Sequence, residues 1–191
     1  MKTVKAIQFV SWVVVAAALV VLAQAMWIPA KASVAQVLLR AAWTSTVESG
    51  KPHKPWPWAD HVPVARLRVP SHQVDQIVLG GDSGAVLAFG PGESQSAKGL
   101  QGGARVIAGH RDTHFRFLKH LMVGQELILQ NPHSAQHYRV TEKRVVDART
   151  TSLDAQALGG ALVLVTCYPF DAVQSGGSQR LVVFADRVDS V

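Results

Sequence analysis

The sequence predicts a mainly β domain, a small barrel or sandwich, behind an apolar N-terminal helix, and three observations carry that prediction. From Val62 onward, short runs rich in Val, Ile and Leu alternate with Gly, Pro, Ser and Asn, the pattern of short strands joined by turns. The residues from His61 to Val191 suffice for one closed core and show neither an internal repeat nor a second domain. Ahead of them stands Ala6–Ile28, an uncharged stretch broken only by the polar Gln8, Ser11 and Gln24.

As a helix rising about 1.5 Å per residue, Ala6–Ile28 extends roughly 34 Å, against a hydrocarbon core of about 30 Å. Residues 1–5, with Lys2 and Lys5, then form a cytoplasmic stub by the positive-inside rule, and everything after Trp27 lies outside. The competing reading is a cleaved signal peptide, for which Ala23-Gln24-Ala25 before Met26 supplies small cleavage-site residues. The run is long for that purpose, and Trp12 and Trp27 stand near its ends as interfacial aromatics do. A retained single-pass anchor over 6–28 is therefore the preferred expectation. Either outcome exports residues 29–191. The formal charge of +6, from 19 Lys and Arg against 13 Asp and Glu, comes without a basic stripe or interleaved aromatics, so it describes a solvated surface and not a nucleic-acid face.

Residues 29–60 read as a linker. Lys31–Glu48 is predicted helical, with Ser33 and Gln36 as a capping box and Val34, Val37, Leu38 and Ala41 near helical spacing. Gly50-Lys-Pro-His-Lys-Pro-Trp-Pro-Trp58 stops that helix, because each proline also disfavours helical geometry in the residue before it. Its tryptophans are expected to pack on the domain rather than line a groove. Within 61–191 the predicted strands are Val64–Val69, Val74–Leu79, Ala85–Phe89, Arg105–Ala108, Glu126–Gln130, His137–Val146, Leu162–Cys167 and Leu181–Ala185. Two short helices interrupt them, Asp112–Leu121 and Ser152–Leu158, with Asp112 and Ser152 as N-caps.

The single cysteine, Cys167, closes the run Ala161-Leu-Val-Leu-Val-Thr-Cys167, and Tyr168-Pro169-Phe170 ends the strand at once. One thiol forms no internal disulfide, and an unpaired thiol outside the cytosol risks oxidation. A cysteine in this setting is also what inert core looks like, a lone histidine is by default a surface group, and a lone arginine is by default solvated. Three such residues at strand ends change the weighing. Cys167 ends one strand, Arg180 immediately precedes the next, and the loop between them holds Ser175-Gly-Gly-Ser178. Antiparallel pairing sets those two residues side by side. His110 follows the strand Arg105-Val-Ile-Ala-Gly109, so a barrel aligning these ends brings thiol, imidazole and guanidinium to one rim. The histidines show no ligand spacing, so no metal site and no cofactor is argued.

Ala108-Gly-His-Arg-Asp-Thr-His-Phe115, Leu164-Val-Thr-Cys-Tyr-Pro-Phe170 and Arg180-Leu-Val-Val183 resemble the His, Thr-Cys and Arg motifs of sortases, the cysteine transpeptidases of bacterial surfaces. Ala65-Arg-Leu-Arg-Val-Pro70 resembles that family's first barrel strand, and 61–191 covers the catalytic domain in the expected order behind a single anchor. The resemblance implies a closed eight-stranded β-barrel. It also implies that Cys167 is the nucleophile, His110 the proton-transfer group and Arg180 the stabiliser of the substrate carbonyl or its oxyanion. The partners implied are an exported protein bearing a C-terminal sorting signal, Leu-Pro-any-Thr-Gly-like and cleaved after Thr, and an amine acceptor on the envelope or on another protein. Two departures stand out. Gly102-Gly103-Ala104 occupies the place where relatives often carry Gly-Asn, and there is no Asp-Pro-Trp lid, since Pro55-Trp-Pro-Trp58 lacks its acidic residue. The other readings are an envelope cysteine peptidase that releases the acyl group to water, and a non-enzymatic envelope-anchored barrel with Cys167 in its core.

Overall fold

Two parallel strand pairs in an otherwise antiparallel closed sheet set the topology of this protein. The computed structural model describes residues 2–94, 103–172 and 176–188. Met1, Gly102 and Ser175, which entered the sequence reading, lie outside the described residues. Residues 1–37 form one compact unit and Leu38–Val191 a second.

Helix α1 runs over Lys2–Ser49. Because Pro29 lies inside it, the helix does not begin at Ser33, and the predicted capping box is not a cap: the preceding turn already supplies its backbone partners. Among the described residues no helix is long and apolar enough to cross a membrane. The side chains at 6–11, 13, 23 and 26–30, within or flanking the predicted anchor, are outside the described set.

In the second unit, β1 (Pro63–Val69), β2 (Val74–Gly80), β3 (Gly92–Glu93), β4 (Arg105–Gly109), β5 (Glu126–Gln130), β6 (Ala135–Asp147), β7 (Leu162–Cys167) and β8 (Gln179–Val188) close a barrel in the order β1-β2-β3-β4-β7-β8-β6-β5. The closed eight-stranded expectation is met, with one strand in a different place. Ala85–Phe89 is not a strand; Gly84–Leu87 is a short helix, α2, whose Ser83 hydroxyl accepts the Val86 N–H. The reason is topological. Strands β2 and β3 pair in parallel, so the chain between them must cross back, and Gly81–Pro91 is that crossover. Strand β3 itself is two residues of Gly and Glu, too short and too polar to read as β.

Both predicted caps in the loops differ as well. Arg111–Phe115 forms turns, and a 3-10 turn follows at Arg116–Lys119 with no side-chain cap, while Asp112 pairs with Arg111 at 3.5 Å. Ser152–Leu158 holds no helix, only turns from Ala155 onward, and Asp154, not Ser152, accepts the amides of Gln156 and Ala157. A carboxylate offers these amides a charged acceptor where serine offers a hydroxyl.

Alternation along the strands sorts side chains to two faces. Leu67, Ile107, Leu164, Val183 and Tyr138 fill the interior. Val163 and Val182 lie on the outer face with Val106, Val165 and Phe184, and Leu153, Ala155 and Leu158 of the β6–β7 loop pack over them. On β2, Leu39 and Trp43 of α1 cover Ile77 and Leu79. Trp56 packs edge-on to His61 and Phe89 at 5.4 and 5.3 Å, as expected for packing, whereas Trp58 is largely exposed.

Asp75 joins α1 to this sheet. It accepts from Arg66 Nε at 2.7 Å, and Arg40 pairs with it at 3.7 Å. The hydrogen bond from Arg66 holds the Asp75 carboxyl below its ordinary value against the opposing effect of burial, and the charges of Arg66, Arg40 and Arg68 act in the same direction as the bond. Its stabilisation is therefore complete above the unfolded value of 3.8 and is lost as pH falls below it. Denaturant titrations of Asp75→Asn against wild type are expected to show a gap at pH 7 that narrows as pH drops through 3.8; a gap of constant size would remove this ion pair from acid stability.

Candidate active site

The sequence-predicted residues meet at one rim. Strand β4 pairs in parallel with β7, with Gly109 opposite Thr166, so the next step of the ladder sets His110 beside Cys167. Strand β7 pairs antiparallel with β8, with Cys167 directly opposite Arg180. Arg180 is thus inside β8, not before it. Adjacent strands lie about 5 Å apart, so the three backbones fall within about 10 Å of one another. Val163, Val165 and Cys167 are spaced by two, as are Arg180 and Val182, which places thiol and guanidinium on the outer face with the Val163–Val182 cluster. Cys167 and Arg180 are half-buried and His110 is exposed.

Four interactions hold this arrangement. Buried Thr166 donates its hydroxyl to the Gly109 carbonyl at 2.7 Å, locking the residue before Cys167 to the residue before His110. Phe115 packs flat on Gly109: a Cβ there would sit 2.7 Å from the ring, so only glycine fits. The His110 carbonyl accepts the Phe115 N–H at 2.9 Å, which folds the chain back after the histidine. Arg111 reaches across to the loop after Cys167 and donates to the carbonyls of Pro169 and Ala172 at 2.8 and 2.9 Å. The Tyr168–Pro169 peptide in that loop is cis.

Arg180 Nη1 donates to the Gly177 and Gln179 carbonyls at 2.6 and 2.8 Å, and among the described residues Nε and Nη2 make no bond. Among the described residues one edge of the guanidinium is tethered and the other is open to donate. His114 is a half-buried second imidazole near the first: burial, then the charge of His110, lower its proton affinity. A cleft of about 390 Å³ opens beside the site, lined by Lys119, Lys143, Tyr168, Phe170 and Asp171. Among the described residues no group of three His, Cys, Asp or Glu is placed to hold a metal ion.

Sequence reasoning missed Arg111 and the partner of Thr166. Arg111 directly follows His110, but its targets are backbone carbonyls 58 and 61 residues away, which no side-chain pattern announces. His114 is one of eight histidines in the sequence, and the turn that follows His110 is what brings the two imidazoles near each other.

A closed barrel that presents a lone thiol between an imidazole and a guanidinium has the plan of a cysteine transpeptidase. The sortase-domain profile matches residues 67–188, and the chain belongs to the sortase family. It is 34% identical over 89 residues to Sortase D of Bacillus subtilis, an alignment covering 46% of this chain and 44% of that protein. The chain thus aligns with less than half the length of that relative. Among solved structures, sortase C-1 of Actinomyces oris matches with a TM-score of 0.58 at 27% identity, over 67% of this chain and 76% of that one. Sortase A of Corynebacterium diphtheriae shares the fold at a TM-score of 0.61 and 24% identity, over 85% and 86%.

Two outcomes are expected from this geometry. Thr166→Val keeps the shape but leaves the buried Gly109 carbonyl without its hydroxyl donor, a loss of about 1–3 kcal/mol measurable by denaturant unfolding; an unchanged midpoint would show that the bond contributes nothing. His114, with its folded value lowered, contributes stability that is complete above 6.5 and is lost as pH falls below it, because the unfolded chain takes up the proton first. His114→Gln is expected to flatten that part of the stability–pH curve, the remainder coming from buried His61, which is shifted the same way.

Proposed function

We propose that this chain is a membrane-anchored sortase acting outside the cytoplasm, with Ala6–Ile28 as its single anchor. It cleaves a C-terminal sorting signal, Leu-Pro-any-Thr-Gly-like, after Thr and transfers the acyl group to an amine. The observation that carries this reading is the ladder adjacency of His110, Cys167 and Arg180. Family membership supports the reaction class.

The Cys167 thiolate attacks the Thr carbonyl carbon, and negative charge develops on the carbonyl oxygen. Arg180, tethered through Nη1, offers Nε and Nη2 to that oxygen. His110, as imidazolium, protonates the departing glycine amine as the C–N bond breaks, leaving a thioester on Cys167. A second amine then attacks the thioester, neutral His110 takes its proton, and the thiolate leaves as the new amide forms. One amide is exchanged for another, so no external energy source is needed. Half-buried Ala108 and Val165, the residues two positions before His110 and Cys167 on their strands, supply an apolar floor for the signal peptide. Arg111 acts as a positioning residue: by holding Pro169 and Ala172 it fixes the loop that leaves Cys167.

The test is incubation of the full chain with a sorting-signal peptide and a short oligoglycine. A ligated product supports transpeptidation, whereas hydrolysed peptide alone, at every oligoglycine concentration, favours a peptidase. Cys167→Ala is expected to abolish the thioester adduct seen by mass spectrometry; its persistence would exclude this nucleophile. Arg180→Ala is expected to lower kcat by about 10²–10³, the loss typical of an oxyanion donor. The pH dependence of iodoacetamide labelling at Cys167 should change in His110→Ala, and superimposable curves would remove the imidazole from thiol activation.

A further inference from the structure

We propose that the end of the barrel bearing Cys167 rests on an anionic membrane surface, with Met122 and Val123 inserted among the headgroups. The proposal depends on the anchor reading above, and three observations on the barrel carry it.

The first is where α1 joins the barrel. Arg40 donates to the Asp75 carbonyl at 3.2 Å, at the start of β2. The neighbouring Gln76 donates to the His114 carbonyl at 2.8 Å, four residues past His110. The opposite end of this stretch, Gly50, lies against His133 in the β5–β6 hairpin, at the far end of the barrel. Leu38, the first residue of the second unit, therefore stands toward the end that carries the site. Ile28 and Leu38 are ten residues apart, so even a fully extended chain keeps that end within about 35 Å of the end of the apolar run.

The second is an apolar tip held in water at that end. Met122 and Val123 are 63% and 61% exposed. They are not on a loose loop. The Met122 N–H donates to Gln125 Oε1, which also meets His72 Nε2, each at 2.9 Å, and the Gly124 N–H donates to the Val140 carbonyl at 2.7 Å. Lys143 donates to the Leu118 and Leu121 carbonyls just before the tip. A tip fastened by its own backbone and still facing solvent suits a surface that arrives from outside.

The third is charge. Residues 113–125 contain Arg116, Lys119, His114 and His120 and no Asp or Glu. Arg116 and Lys119 are exposed and make no ion pair among the described residues. Of the acids nearby, Asp112 pairs with Arg111, Glu126 meets His137, Glu142 pairs with Arg144, and Asp171 shares the cleft with Lys119. Cations flanking exposed apolar side chains are the composition of segments that lie in an anionic interface. This placement turns Cys167 toward the surface from which a membrane-held sorting signal emerges.

The sole cysteine makes the test direct. In a Cys167→Ser background, Met122→Cys and, as a far-end control, His133→Cys are labelled with the fluorophore NBD. Each full chain is reconstituted in phosphatidylglycerol–phosphatidylcholine vesicles. The expected result is flotation of both proteins with the vesicles, but blue-shifted emission and quenching by spin-labelled lipid only at position 122. The shift should shrink in pure phosphatidylcholine. Co-flotation with water-like emission at both positions overturns the docking while leaving the anchor intact. An equal shift in neutral vesicles overturns the anionic part, and failure to float at all rejects the anchor and the docking with it.

Discussion

The hydrogen bond from Thr166 to the Gly109 carbonyl is the contact on which the rim depends. It crosses a parallel pair, β4 and β7, that is remote in sequence, and it sits one residue before each of the two groups that must meet. Parallel strands set neighbours by register alone, so a slip of one residue would turn Cys167 or His110 to the opposite face. Thr166 and the tight packing of Phe115 on Gly109 both resist that slip. The antiparallel partner β8 then adds Arg180 with no further device, because its register against Cys167 follows from the ladder.

Around that lock, polar groups secure the loops. Arg111 fixes the segment leaving Cys167 and Arg180 braces its own loop, while Lys143 holds the carbonyls at the end of the 3-10 turn. Burial lowers the proton affinity of the Lys143 amine, a cost its two carbonyl partners offset. Each of these side chains donates to backbone carbonyls, so each fixes a loop's path directly. These bonds fasten the segments that flank Cys167, His110 and Arg180 and the one that precedes Met122 and Val123.

The barrel was legible because most of its strands carry Val, Ile and Leu in runs bounded by turn residues, as in Leu162–Cys167. The failures have a common cause. Ala85–Phe89 has a strand's composition, but the parallel pairing of β2 and β3 demands a crossover there, and pairing is a property of the whole sheet. Ser33, Asp112 and Ser152 are good caps only if a helix begins beside them, and local sequence does not say that α1 already passes through Ser33 or that a carboxylate two residues on takes the amides near Ser152. At the site, Cys167, His110 and Arg180 could be named from their positions at strand ends. Arg111 and Thr166 could not be assigned a role, since what defines them is a partner far along the chain, and His114 gains its place only from burial and from the turn that folds it back near His110.

The sequence by itself determined the chemical inventory: one thiol, a histidine after a glycine, an arginine at the next strand, and an uncharged run ahead of the domain. It also determined that these stand at strand ends, because side-chain periodicity and turn residues act over a few positions. Only the tertiary structure decided that β4 lies beside β7 in parallel, that Arg111 spans to Pro169 and Ala172, and that α1 joins the barrel at the end bearing the site. Those are contacts between segments separated by tens of residues, and their energy depends on closing the whole barrel rather than on any local preference.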